Sequence, residues 1–302
     1  MVDVAPAHER RDSIRAPRMP RHRAEARDVG FDAGFRALGI LAYAGSRVSA
    51  SVVDLDSRQS LVAIDDRVSM PTGGLGRLLL LIEVSARITA DEAFGGFLIG
   101  RSPQDQAGGS GLWQYLLARG LTVADLASLV GSAGDNLAAN ALLRVVGLEA
   151  VHARAESLGL GGTALLDRAR DSRGPDDAPQ QSVGAMSELA GLMLGLARAE
   201  LVDPLTSSRV LGWLSLDADL SLASSAFGLA PLAHRGPVHG LQFVNATGHD
   251  AGVLAEAGVL RGPRHGLAFA VSVHYADSSL AARLRVLDAL RVFGLDLLEY
   301  AH

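Results

Sequence analysis

Residues 134–140 read Gly134-Asp135-Asn136-Leu137-Ala138-Ala139-Asn140. The stretch separates two runs with helical periodicity, Val123–Val130 and Leu137–Val146. Asp135 stands immediately before the second run. There its carboxylate can accept a backbone N–H of the first turn, a cap that stabilises a helix by ~1 kcal/mol. A short interhelical loop followed by a capped, alanine-rich helix marks the middle of a helical block.

Working outward, the block extends over residues 112–200, with further helical segments expected at Leu112–Arg119, Leu148–Leu158 and Ser187–Ala199. Asp167–Gln181 is rich in Asp, Arg, Gly and Pro and reads as a surface loop. Before the block, Phe31–Tyr43 is an amphipathic helix. Ser49–Asp56 and Ser60–Ile64 form a hairpin around Ser57-Arg58, and Leu75–Ile88 is long and apolar enough for a buried helix. After it come a short helix at Arg209–Leu214 and β-runs at Leu241–Ala246, Val253–Leu260 and Leu267–Val273. Turns are expected at Thr247-Gly248 and Gly262-Pro263, and Ala281–Tyr300 closes as a helix. The order predicts an α/β chain of the α+β kind. An antiparallel sheet of about five strands is flanked by N- and C-terminal helices and carries an inserted all-helical subdomain. The sheet lobe is expected over 28–68 and 206–302 and the helical lobe over 69–205, with the ligand site in the cleft between them.

Composition narrows the chemistry. The 302 residues carry a net charge of −5, which argues against a nucleic-acid partner, and no apolar run reaches the ~20 residues of a membrane helix. There is no cysteine, so thiolate chemistry and Cys-ligated metals are excluded. All 28 basic residues are arginine. Arginine stays protonated, so mechanisms that need a lysine base or Schiff-base amine are closed. Residues 1–27 hold seven arginines without the apolar core of a secretory signal. They read as a disordered basic tail, and the chain is expected to be cytoplasmic.

Three fragments together resemble the class A β-lactamases and their penicillin-binding relatives, whose cleft is lined by S-x-x-K, S-D-N and K-T-G motifs. Met70-Pro71-Thr72-Gly73-Gly74-Leu75-Gly76-Arg77 precedes the apolar helix, with Gly74 at the nucleophile position and Arg77 at the lysine. Gly134-Asp135-Asn136 resembles S-D-N with glycine for serine. Asn245-Ala246-Thr247-Gly248 resembles N-K-T-G with alanine for lysine. The loop around Asp167-Arg168-Ala169-Arg170-Asp171-Ser172 lacks the family's glutamate; Asp171, Asp176 and Asp177 are the candidates for an acid there.

The resemblance implies the β-lactamase fold, and the correlated replacements imply that its hydrolytic chemistry is lost. No residue is therefore expected to be catalytic, and Gly74, Arg77, Gly134 and Ala246 are degenerate motif positions. A ligand site is expected at Gly74, Asp135, Asn136, Thr247, Gly248 and His249. There the backbone amides of Gly74 and His249 would face a carbonyl or an anion. Arg77, buried beneath, would need a carbonyl or acidic partner, with Asp135 and Glu83 in reach. Small carboxylate, peptide-like or β-lactam-like ligands fit this picture, with no cofactor and no metal. The competing reading is an active hydrolase or acyltransferase with another catalytic set. It would use Thr72 or a serine with His234, His239 or His249 and Asp250. Arg235, His234 or His249 could also replace the lost cationic anchor.

Overall fold

The computed structural model describes Met1 and residues 30–302; beyond Met1, the expected basic tail lies outside the described residues. Helix α1 (Asp32–Tyr43) leads into strands β1 (Arg47–Asp54) and β2 (Ser60–Ile64). A short strand β3 (Met70–Pro71) and a 3-10 turn at Gly73–Gly76 then feed α2 (Arg77–Ala90). Helix α3 (Glu92–Gly95) and strands β4 (Leu98–Gly100) and β5 (Gly120–Thr122) precede α4 (Val123–Ala133), α5 (Asn136–Val146) and α6 (Leu148–Ser157). Strands β6 (Ala164–Leu165) and β7 (Ser182–Gly184) bracket the long loop. Then come α7 (Met186–Ala197), α8 (Pro204–Leu214), β8 (Gln242–Asp250), β9 (Val253–Arg261), β10 (Gly266–His274) and α9 (Leu280–Ala301).

The main sheet has the order β2-β1-β10-β9-β8 and is antiparallel throughout, as the sequence predicts. Both of its faces are covered, so β9 and β10 are buried almost end to end. One core joins the sheet's side chains Ala255, Ala257 and Ala268 to α2, α4, α5, α7 and α8. The other joins Val52, Phe269 and Val271 to α1 and α9. Helix α2 is the axis of the helical lobe: Leu78, Leu79, Leu80, Leu81 and Ile82 are all buried. Val210, Trp213 and Leu214 of α8 pack in the same core as α2.

Local chemistry sets the boundaries near the cleft. Thr122 caps α4 by accepting from Asp125 N, and α4 stops at Gly134, whose φ of +54° is left-handed. Asp135 caps α5 through Ala138 N at 2.9 Å.

Two expectations are corrected. Leu112–Arg119 is not a helix; it holds only a 3-10 turn at Trp113–Tyr115. The Asp135 carboxylate takes the N–H groups of Leu112 and Trp113, and the Arg101 guanidinium takes the carbonyls of Trp113 and Leu116. The carbonyl of Trp113, which a helix would offer to Leu117 N, is thus held by a side chain from outside the segment. Thr247-Gly248 is not a turn but lies inside β8, and the chain reverses at Ala251-Gly252 instead. Gly248 serves close approach: a Cβ there would lie 2.0 Å from Thr72 O.

Candidate active site

Gly74 sits in the buried 3-10 turn that enters α2. One helical turn on, Arg77 folds back over it. A Cβ built on Gly74 would meet the Arg77 Nη2 at 1.6 Å. The guanidinium therefore occupies the volume that any side chain at residue 74 would need. Its Nε donates to Gly74 O at 2.9 Å and its Nη1 to Asn136 Oδ1 at 2.9 Å and to Gly134 O. Carbonyls and an amide oxygen are thus its partners. Of the two acids expected, Asp135 acts only through its field, while Glu83 pairs with Arg87 at 2.8 Å and Arg154 at 2.9 Å. Burial lowers the Arg77 pKa to about 10, which still leaves it charged at neutral pH.

The motif at 134–140 fastens the backbone. Asp135 is 1% exposed and accepts from Ala138 N, Leu112 N and Trp113 N. Gly111, at φ +128°, passes so near that a Cβ would lie 2.5 Å from the Asp135 carboxyl carbon. Asn136 reaches the cleft wall, but its amide is used internally: Oδ1 accepts from Arg77 and Nδ2 donates to Gly108 O. Asn140 donates to Asp105 O and Ala169 O and accepts from Ala169 N, which straps the long loop to α5. Within that loop Asp167 binds Arg170 and Arg173, both at 2.7 Å. Burial opposes its ionisation, but these contacts and the Arg168 N–H outweigh it and hold the carboxyl below its usual range. Asp171 turns to Gly108 N. Asp177 binds Arg170, and Asp176 is exposed.

Strand β8 forms the opposite wall. Ala246 packs against the helical core and offers no charge. Thr247 and His249 face the cleft, and Gly248 lies behind them against the 3-10 turn. Gly73, at φ +55°, would place a Cβ 2.9 Å from His249 N, so turn and strand touch backbone to backbone. His249 Nε2 bonds Asp219 Oδ2 at 2.5 Å. Burial raises the Asp219 pKa, but the bonds to His249 and Ser221 prevail and leave it below the usual carboxylate range. Asp217 is 4% exposed, and burial, reinforced by the charges of Asp219 and Glu256, pushes it up to about 8. Glu256, wholly buried in β9, is raised by burial to about 7 despite bonds from Ser224 N and Asn245 Nδ2.

These surfaces enclose a cleft of about 1140 Å³. Of the six expected ligand residues, Asn136, Thr247 and His249 line it. Gly74 lines only a separate void of about 20 Å³, and Arg77, Gly134, Asp217 and Thr247 form the partition between the two. The acids Asp217, Asp219 and Glu256 were missed in the sequence. Their signal was an Asp-x-Asp pair in the apolar run Leu214–Leu220 and a lone charge inside a β-run.

The alternative catalytic set is dispersed. The single hydroxyl hydrogen of Ser182 goes to Gly73 O at 2.7 Å, so Thr72 must donate to Ser182 Oγ, also at 2.7 Å. Thr72 is 1% exposed and bonds no histidine. His234 is buried on Ala230 O and the Phe243 ring, and Arg235 and His239 are exposed. Asp250 accepts from Ala251 N, not from a histidine. No group of three or more His, Cys, Asp or Glu among the described residues is arranged to hold a metal.

The pattern of the beta-lactamase enzyme family, Beta-lactamase2, matches residues 34–300, and the chain belongs to that family. No curated protein matches it by sequence. Among solved structures, a beta-lactamase from Sphaerobacter thermophilus superposes with a TM-score of 0.77 at 21% identity, covering 90% of this chain and 97% of its own. A class A beta-lactamase from Mycobacterium abscessus gives 0.70 at 18% identity, covering 85% and 97%. PBP-A gives 0.72 at 17%, covering 89% and 96%. A mutant of PBP-A is described as an acyl-enzyme complex with penicillin G.

Proposed function

We propose that this chain is a non-hydrolysing member of its family, a pseudoenzyme whose cleft holds a ligand without forming a bond to it. The observation that carries this reading is the 1.6 Å approach of Arg77 Nη2 to the Cβ position of Gly74. Nucleophilic catalysis needs an activated oxygen or sulfur beside a base. Here the nucleophile position has no side chain, and its space is filled by a cation that keeps its proton at neutral pH. The relay position, Gly134, has no hydroxyl, and Ala246 has no charge with which to anchor a carboxylate. A ligand of the class the family suggests, peptide-like or β-lactam-like, would lie on the cleft side of Arg77. It would meet Thr247 and His249 rather than the Gly74 amide.

Intact-protein mass spectrometry after incubation with penicillin G tests the proposal. The expected result is an unchanged mass. A gain equal to the drug would overturn it, and peptide mapping would then name the acylated residue. A fluorophosphonate probe extends the test to the alternative hydrolase: labelling of Thr72 or of a cleft serine would show an active enzyme with another catalytic set.

A further inference from the structure

The charged groups of the cleft wall are matched unequally. Each arginine that lines it is already engaged by the protein. Arg77 holds Gly74, Gly134 and Asn136. Arg170 holds Asp167 and Asp177, and Arg173 holds Asp167 and Ala178 O. The carboxylates are not matched in this way. Asp171, Asp217 and Asp250 each accept one backbone N–H, from Gly108, Asp219 and Ala251 respectively. None of the three has a cationic side chain bonded to it among the described residues. Asp219 has His249. Asp217 is the distinctive one. Its side chain is buried, it lines the cleft, and one of its oxygens has no hydrogen-bond partner among the described residues.

We infer that the cleft is a receptor for an organic cation, a ligand whose alkylammonium group docks on Asp217 with Asp171 and Asp250 facing the rest of the molecule. A buried carboxylate is costly unless a cation or several donors compensate it. Asp217 has one donor, and Arg77 acts on it only through space. An ammonium group supplies the missing charge and up to three N–H donors. An anionic ligand would instead meet the acidic side chains of Asp171 and Asp250, the buried acid Asp217 and no unengaged arginine on the wall, an arrangement that selects against it. Because burial keeps Asp217 largely protonated near neutrality, docking of a cation would also expel a proton. The inference rests on the reading of the cleft as a binding site, but its test is separable from the acylation test.

Titration calorimetry of the full chain at pH 8 uses spermidine, Nα-acetyl-lysine amide, acetate and Nα-acetyl-D-Ala-D-Ala, whose amine is blocked, as probes. One or both amines should bind at one site, and the two carboxylates should give no heat. Spermidine alone would point to free polyamines, and the lysine amide alone to a peptide-borne amine. Asp217→Asn should weaken amine binding by at least about tenfold, whereas Asp288→Asn, an exposed control on α9, should leave it unchanged. Should Asp217→Asn fail to fold, Asp171→Asn with Asp250→Asn takes its place and should weaken binding in the same direction. Proton release, read as a dependence of the binding heat on buffer ionisation enthalpy, should vanish in Asp217→Asn. Absence of amine binding, equal binding by the Asp217 variant, or preference for acetate or Nα-acetyl-D-Ala-D-Ala would overturn the inference. If the amines fail while penicillin still leaves the mass unchanged, the ligand assignment falls and the non-hydrolysing reading stands.

Discussion

The loop fastening around Asp135 and Asn140 and the turn around Gly74 lie on the same side of the fold, yet they stand in opposite relation to the family pattern. Asp135 and Asn140 match it, and both spend their polar atoms on the chain's own backbone: three N–H groups for Asp135, and two carbonyls and one N–H for Asn140. Gly74, Arg77 and Gly134 are read as departing from it, and the space beside Gly74 is filled by a guanidinium that bonds the same stretch of chain. Residues that hold backbone are needed whether or not any reaction occurs. On the proposed non-hydrolysing reading, residues that would touch a substrate are replaced by ones that pack. Thr247 and Gly248 divide in the same way. Gly248 is required because a Cβ there would lie 2.0 Å from Thr72 O, while Thr247 faces the cleft.

The largest expected effect lies on the matched side. Asp135→Ala leaves three buried N–H groups without a partner and should cost ~3–5 kcal/mol in denaturant unfolding. A cost below ~1 kcal/mol would mean that the loop does not depend on this cap. Leu80→Ala, on the axis shared by both regions, should cost ~2–5 kcal/mol. A loss under ~0.5 kcal/mol would place α2 outside the core.

On the exchanged side, Gly74→Ser forces the guanidinium out of its three bonds and should cost ~1–3 kcal/mol. Adding Arg77→Ala should recover part of that loss, a coupling that a double-mutant cycle measures. Simple additivity would show that the two side chains do not share one space. Gly134→Ser should cost only ~1–2 kcal/mol. Its left-handed φ is strained for serine, but the new Cβ would lie 3.7 Å from both Arg77 and Ser110. A larger cost than that of Gly74→Ser would reverse the order of the two positions.

The smallest effect is spread over pH. Asp217 and Glu256 have raised pKa values, so the folded chain binds more protons than the unfolded one between the ordinary carboxylate range and about 8. Their contribution is therefore greatest at low pH and is lost as pH rises through about 7 and then about 8. The melting temperature should drift downward over this window. Glu256→Gln should flatten its lower part and Asp217→Asn its upper part. A profile that neither variant alters would show that these carboxyls titrate normally.

Much of the fold was legible because it depends on local pattern. The apolar runs of β9 and β10 and the capped periodicity of α5 specify their elements almost to the residue. Leu112–Arg119 was misread because its helical spacing is real, but its backbone groups are claimed by Asp135 and Arg101 from elsewhere in the chain. Thr247-Gly248 was misread as a turn because a glycine needed for close approach and a glycine needed for a turn look alike in one dimension.

For the site, the sequence alone determined which atoms are absent: residues 74 and 134 carry no side-chain oxygen, and the chain has no lysine. Those conclusions need only the identity of an atom, not its position. Only the tertiary structure decided what took their place. That Arg77 folds into the space beside Gly74, that Asn136 spends its amide on the chain itself, and that Asp217 is buried with one oxygen unpartnered all depend on groups far apart in sequence meeting at distances of a few ångströms. Burial and field are set by that three-dimensional neighbourhood, so a carboxyl unremarkable in the sequence becomes, at residue 217, an acid of pKa about 8 on the wall of the cleft.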